Sequence, residues 1–169
     1  GNNGQDHRET AHLVRRGENY GWSVYEGSRP FYLTRQRGPT PIVKPTIEHP
    51  HSESRSLTGG VVYYNKKFPQ LDGLYIYGDY STGKIWGARH DGTHVTLHRE
   101  IADTVLAITS FHVDPDGEIL ISDYAGGIYR LVPNTETPPS YDFPRYLSQT
   151  GLFNSVEDHQ LHPAAIPYS

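Results

Sequence analysis

Apolar and polar positions between residues 57 and 132 fall into short runs cut by glycine turns. Leu57–Tyr64 reads as a strand broken by Gly59-Gly60. Leu74–Asp79 alternates, Tyr80-Ser-Thr-Gly83 turns, Lys84–Arg89 returns, His90-Asp91-Gly92 turns again, and Thr93–Arg99 completes a fourth strand. Ala107–Val113, Glu118–Asp123 and Gly127–Val132 repeat the scheme around Asp114-Pro-Asp-Gly117 and Gly126-Gly127. Asp-Gly and Gly-Gly pairs between alternating runs mark hairpins, because glycine adopts positive φ without a Cβ clash.

The two sets are copies. Gly73-Leu-Tyr-Ile-Tyr-Gly-Asp-Tyr80 is echoed by Gly117-Glu-Ile-Leu-Ile-Ser-Asp-Tyr124. Asp79 and Asp123 lie 123 − 79 = 44 residues apart, whereas Ile85-Trp86 and Ile128-Tyr129 lie 43 apart, so the second copy has lost one turn residue. A period in the forties made of short β-runs predicts propeller blades. The fold class is all-β: a partial β-propeller of about two to three blades with an irregular C-terminal extension. Two or three blades do not close a ring, so the pattern predicts a piece of a larger assembly that is marginal or aggregation-prone when isolated.

Elsewhere the pattern is weaker. Ala11–Arg15 and Tyr20–Tyr25 read as short strands. Residues 29–56 carry Pro30, Pro39, Pro41, Pro45 and Pro50 and read as a long ordered loop. The predicted organisation is a propeller part over 1–132, a linker over 133–140, and over 141–169 the beginning of another domain or a docking tail. A helical turn is expected near Ser148–Val156.

Composition narrows the function classes. A formal charge of −4, with Arg15-Arg16 and Lys66-Lys67 as isolated pairs, argues against a nucleic-acid partner. No apolar run approaches a membrane span. No signal peptide is visible, although a chain beginning with Gly leaves room for a lost targeting segment. With no cysteine, disulfides and thiolate metal sites are excluded.

Ten histidines are many for 169 residues. His49 with His51, or His94 with His98 on one face of a strand, has the donor type for a metal, with packing as the alternative. Asp79 and Asp123 are paired carboxylates, but a residue recurring in each blade reads first as a turn cap. Asp114-Pro-Asp-Gly-Glu118 starts like a calcium loop yet lacks the later ligands, and reads as a β-turn. The G-x-S-x-G, P-loop and G-x-G-x-x-G signatures are missing.

Four stretches in register resemble the glucose/sorbosone dehydrogenase family, quinoprotein six-bladed propellers. They are Gly4-Gln5-Asp6 with Glu9 and Gly17-Glu-Asn-Tyr-Gly-Trp22, then Ser56-Leu-Thr-Gly-Gly-Val-Val-Tyr63, then Gly78-Asp-Tyr-Ser-Thr-Gly-Lys-Ile-Trp86, then Phe111 through Arg130. The match covers 1–132 and corresponds to the C-terminal half of the family domain. Phe143-Pro-Arg-Tyr-Leu-Ser-Gln-Thr-Gly-Leu-Phe153 and Ile166-Pro-Tyr168 resemble a junction in large multidomain bacterial members.

The resemblance implies a sugar or aldose dehydrogenase that passes electrons from a sugar hydroxyl to pyrroloquinoline quinone, polarised by Ca²⁺, and then to a cytochrome c domain of the parent chain. It implies a periplasmic or extracellular location. The family's catalytic histidine corresponds to a position outside this chain, so the piece alone is expected to be inactive, and no covalent haem site lies in it. Cofactor contacts are expected at Gly4, Gln5, Lys84 and Arg89, and calcium contacts at Gly4, Gln5, Glu9 and Tyr20. Two departures stand out: Thr10 where an acid is expected, and Tyr64 where quinone binders carry a lysine. They favour the alternative, a non-catalytic propeller binding carbohydrate or a protein partner. A carboxylate-based carbohydrate-active propeller is a third reading.

Overall fold

A computed structural model describes residues 1–134, 146–163 and 165. The chain divides into two compact units, Gly1–Val132 and Pro133–Ser169. In the first, β1 (Arg8–Ala11), β2 (Tyr25–Glu26), β3 (Arg29–Pro30) and β4 (Ile47–Pro50) precede the regular part. Then follow β5 (Leu57–Val62), β6 (Tyr75–Asp79), β7 (Lys84–His90) and β8 (Val95–Asp103), an antiparallel sheet in sequence order. β9 (Ile108–Val113), β10 (Ile119–Asp123) and β11 (Ile128–Arg130) form the next sheet. These are the two predicted blades.

The first blade is apolar on both faces, because successive strand residues point to opposite sides. Ile76 and Ile85 face one way, with Leu74, Ile108, Phe111, Ile119 and Ile121. Tyr77 and Trp86 face the other, with Ala11, Ile47, Leu57 and Ala88. A sheet sandwiched in this way needs a neighbour on each side; the second blade supplies one and the β1–β4 pair the other. Tyr80 and Tyr124 hold equivalent repeat positions and meet edge to face at 5.9 Å. Thr58 Oγ1, on β5, donates to the Ile108 carbonyl of β9 at 2.8 Å. Corresponding parts of the two blades are therefore neighbours, as radial stacking requires.

Asp79 caps turns rather than doing acid–base work. It is fully buried. Oδ2 accepts from Ser54 Oγ and the Arg55 and Ser56 amides, and Oδ1 accepts from the Ser81 and Thr82 amides. Asp123 plays the same part in the second blade, accepting from the Ala107 amide at 2.9 Å just before β9. Asp114 likewise closes its own turn, accepting from the Asp116 and Glu118 amides.

Four expectations change. The first strand is Arg8–Ala11, not Ala11–Arg15, because its partner Ile47–Pro50 sets the register from Arg8↔Pro50 to Ala11↔Ile47. That partner lies inside the stretch read as loop; Pro50 is tolerated at the end of a two-stranded ladder. Tyr20–Tyr25 is not a strand, since Gly21 takes φ +89° and breaks extension, leaving the two-residue β2. In the second unit the helical turn is a 3₁₀ turn at Leu147–Gln149. It precedes a hairpin of β12 (Phe153–Ser155) and β13 (Gln160–Leu161). Most of the expected linker, the start of the junction motif and Ile166-Pro-Tyr168 lie outside the described residues.

Candidate functional site

Gly4, Gln5 and Glu9 belong to the segment before and within β1. Glu9 is fully buried. Its Oε1 accepts from the Gly4 amide (3.1 Å) and bonds His51 Nε2 (3.0 Å), while Oε2 accepts from the Leu57 amide (2.8 Å). Gly4 is required here, because a Cβ would stand 1.9 Å from the Arg8 carbonyl oxygen. Gln5 is exposed and reaches Asp6 at 3.5 Å. Tyr20 is not gathered into this group. Its hydroxyl donates to Glu18 (2.7 Å) and accepts from the Arg15 amide (2.9 Å).

Glu26 is the residue the sequence did not point to. It is buried, and its Oε1 accepts from three consecutive amides, Asp6, His7 and Arg8, at 3.0, 2.6 and 2.9 Å. Burial opposes its charge, but those donors prevail and hold its carboxyl below the usual range. Its Oε2 is buried without a hydrogen-bond partner among the described residues.

The two expected cations sit apart. Lys84 opens β7 and pairs with Glu100 at 2.6 Å and Asp103 at 3.8 Å. Arg89 lies near the other end of that strand, roughly 16 Å away at 3.3 Å per residue. It donates to the Asp72 carbonyl at 2.6 Å. Tyr64 stands exposed.

The histidine pairs also resolve differently. His49 and His51 bond different carboxylates, Glu53 and Glu9. Strand register instead joins one histidine of each pair through Tyr77: His49 Nε2 and His98 Nε2 each lie 2.7 Å from the phenol oxygen. His49 Nδ1 lies 3.1 Å from Glu53, so it donates to that carboxylate. With a neutral His49, Tyr77 donates to its Nε2 and accepts from His98 Nε2–H. His98 Nδ1 is then left as the acceptor on the exposed strand β8. Burial, with Tyr75 and Glu53 adding to it, drives the Tyr77 hydroxyl far above its ordinary range, so the phenol stays neutral and is a poor metal ligand. No group of three acidic or histidine side chains able to hold a metal occurs among the described residues.

Burial and then His49 lower the His98 pKa, and burial lowers that of His12. A base with a depressed folded pKa binds fewer protons folded than unfolded. Their stabilisation is therefore present above the ordinary histidine range, near pH 6.5, and is lost as the pH falls through their lowered values. Tyr77→Phe strands two imidazole nitrogens and is expected to destabilise by about 1–3 kcal/mol, read from the urea midpoint. An unchanged midpoint would remove the relay from the packing account.

The glucose / sorbosone dehydrogenase family profile matches residues 1–130. The chain belongs to the glucose/sorbosone dehydrogenase family. It is 36% identical over 139 residues to the HIPL1 protein of Arabidopsis thaliana, covering 73% of this chain and 19% of that protein. The HIPL2 protein of the same plant is 30% identical over 96 residues, covering 50% and 14%. The chain thus spans less than a fifth of these relatives. A solved glucose dehydrogenase shares the fold with a TM-score of 0.60 at 17% identity, over 78% of this chain and 40% of that one. A second glucose dehydrogenase gives 0.59 at 16% identity. The fold is that of a partial propeller of this type.

A calcium ion does not fit the expected donor set of this family member. Glu9 already accepts from two amides and bonds an imidazole, and Tyr20 is engaged elsewhere. A quinone's carboxylates do not fit the two cations either, since Lys84 is neutralised within β7–β8 and Arg89 is held at the strand's other end.

Proposed function

We propose that the parent protein is a sugar or aldose dehydrogenase of the glucose/sorbosone type, exported, which oxidises a sugar hydroxyl and delivers electrons to a cytochrome. This chain is the C-terminal part of its propeller. The observation that carries the reading is the family match running unbroken through both blades. The side chains of this sector are engaged in structural work: Glu9 and Glu26 tie the segment before β1, Asp79 and Asp123 fix the starts of the blades, and Lys84 staples β7 to β8. The reacting groups and the charge clamp for the quinone belong to other blades of the parent.

A second reading has a specific observation in its favour. Exposed Tyr64, together with Lys84 neutralised by Glu100 and Arg89 held by the Asp72 carbonyl, suits a propeller of the same family that binds carbohydrate or a protein partner without redox chemistry. One assay separates the two. The complete parent, supplied with pyrroloquinoline quinone and Ca²⁺, is expected to reduce an artificial dye with aldoses, and the 169-residue chain alone to reduce none. A parent that neither binds the quinone nor reduces dye would leave the binding module.

A further inference from the structure

From Gly27 to Ile47 the chain carries Arg29, Arg35, Arg37 and Lys44 and no acid, although its formal charge is −4. The structure folds this segment against the β2–β3 hairpin and leaves an open groove of about 450 Å³. Tyr25, Ser28, Arg37, Thr40, Ile42 and Lys44 line it. The Arg37 guanidinium lies over the Tyr25 ring, 5.6 Å from its centroid. Asn19 pins the far wall: its carbonyl accepts from the Val43 amide at 2.8 Å and its side chain donates to the Thr40 carbonyl at 3.3 Å. The groove is therefore shaped before any ligand arrives.

Of the acids that flank the segment, Glu26 is turned to amides outside the groove, while Glu48 sits at its Ser28 edge with its charge met by Arg8. Glu26 is held by three amides, and Glu48 accepts from Ser28 N (2.7 Å) and Ser28 Oγ (2.9 Å) and pairs with Arg8 (3.2 Å). Arg37 and Lys44 have no carboxylate partner among the described residues, in contrast to Arg8, Lys67, Lys84 and Arg130. A guanidinium fork and a lysine lining one groove make a site for a planar anion, because the fork matches a carboxylate with two parallel hydrogen bonds. The Tyr25 ring beneath braces that guanidinium, and the volume is that of a small-molecule site.

We propose that this groove binds the carboxylate of an acidic saccharide, a uronic acid unit, with Arg37 and Lys44 on the anion and Tyr25 bracing the Arg37 guanidinium. The anion half stands on charge and geometry; the saccharide half rests on the reading of the parent as a sugar-handling protein. The test is a binding measurement, so it fails or succeeds apart from any dye assay. The complete parent is titrated calorimetrically with trigalacturonate, with its neutral methyl ester, and with inorganic sulfate.

Trigalacturonate is expected to bind and the ester not to. Arg37→Gln with Lys44→Gln is expected to weaken binding by about tenfold or more, while exposed Arg16→Gln leaves it unchanged. Circular dichroism melting of the double variant checks that it is folded; Arg37→Lys, which keeps the charge but loses the fork, should fall between. Equal binding by the folded double variant, or none by the wild type, overturns the site. Sulfate that binds as tightly as trigalacturonate and displaces it overturns the saccharide assignment.

Discussion

Asp79→Ala is expected to cost at least about 4 kcal/mol, enough to unfold much of a domain whose total stability is typically about 5–15 kcal/mol. Five donors converge on this buried carboxylate, from Ser54, Arg55, Ser56, Ser81 and Thr82. Removing it strands amides at the start of β5 and in the β6–β7 turn together, so two strands lose their anchor at once. Asn restores only part, since its amide nitrogen would face donors. Asp123→Ala, with one amide to release, should cost about 1–2 kcal/mol. Urea midpoints of the parent measure both, and equal costs would contradict the capping account.

The same carboxylate sets an acid limit. Burial pushes the Asp79 pKa up, but the bonds from Ser54, Ser56, Thr82 and Arg55 outweigh it and hold it below the ordinary range. An acid with a depressed folded pKa stabilises fully above its unfolded value, near pH 4, and the contribution is lost as the pH falls through the lowered one. Glu26 acts in the same direction. Acid should therefore act in two stages, first through His98 and His12, then through these carboxyls.

Gly60→Ala is the second large effect. A Cβ at Gly60 would stand 1.6 Å from the Ile76 carbonyl oxygen and 2.8 Å from the Tyr77 Cα, both backbone. Neither can swing away as a side-chain tip would, so β5 must separate from β6 where the ladder already shifts register between Thr58 and Val61. The expected cost is about 3–5 kcal/mol. Gly59 makes the control: its Cβ would meet nothing closer than the Tyr75 hydroxyl, at 4.0 Å. Gly59→Ala should change the urea midpoint little. A similar loss at both positions would mean that flexibility of the pair, not close approach of β6, is what matters.

The blades were legible because their turns are local. Gly83, Gly92, Gly117 and Gly126 all take positive φ, and each marks a hairpin whose strands are neighbours in sequence. The β1–β4 pair was not, because its partners are separated by the proline-rich segment and neither alternates strongly. Around Glu9, Gly4 meets the carboxylate as an amide donor, while Tyr20 turns to Glu18, contacts that no motif spelled out. The Glu53–His49–Tyr77–His98 chain was hidden because its two histidines lie in separate segments of the sequence, and β-register decides which side chains meet. Tyr77 read as one more apolar strand residue. Glu26 gave no signal, since a carboxylate that takes three amides differs in sequence from none that faces water.

The most direct test of the radial account is a structure of the complete parent protein. It should show the β5–β8 and β9–β11 sheets as adjacent blades about one axis, with β5 and β9 side by side and Tyr80 still against Tyr124. Sheets stacked outside a ring, or joined with β8 beside β9 into a continuous barrel, would contradict it.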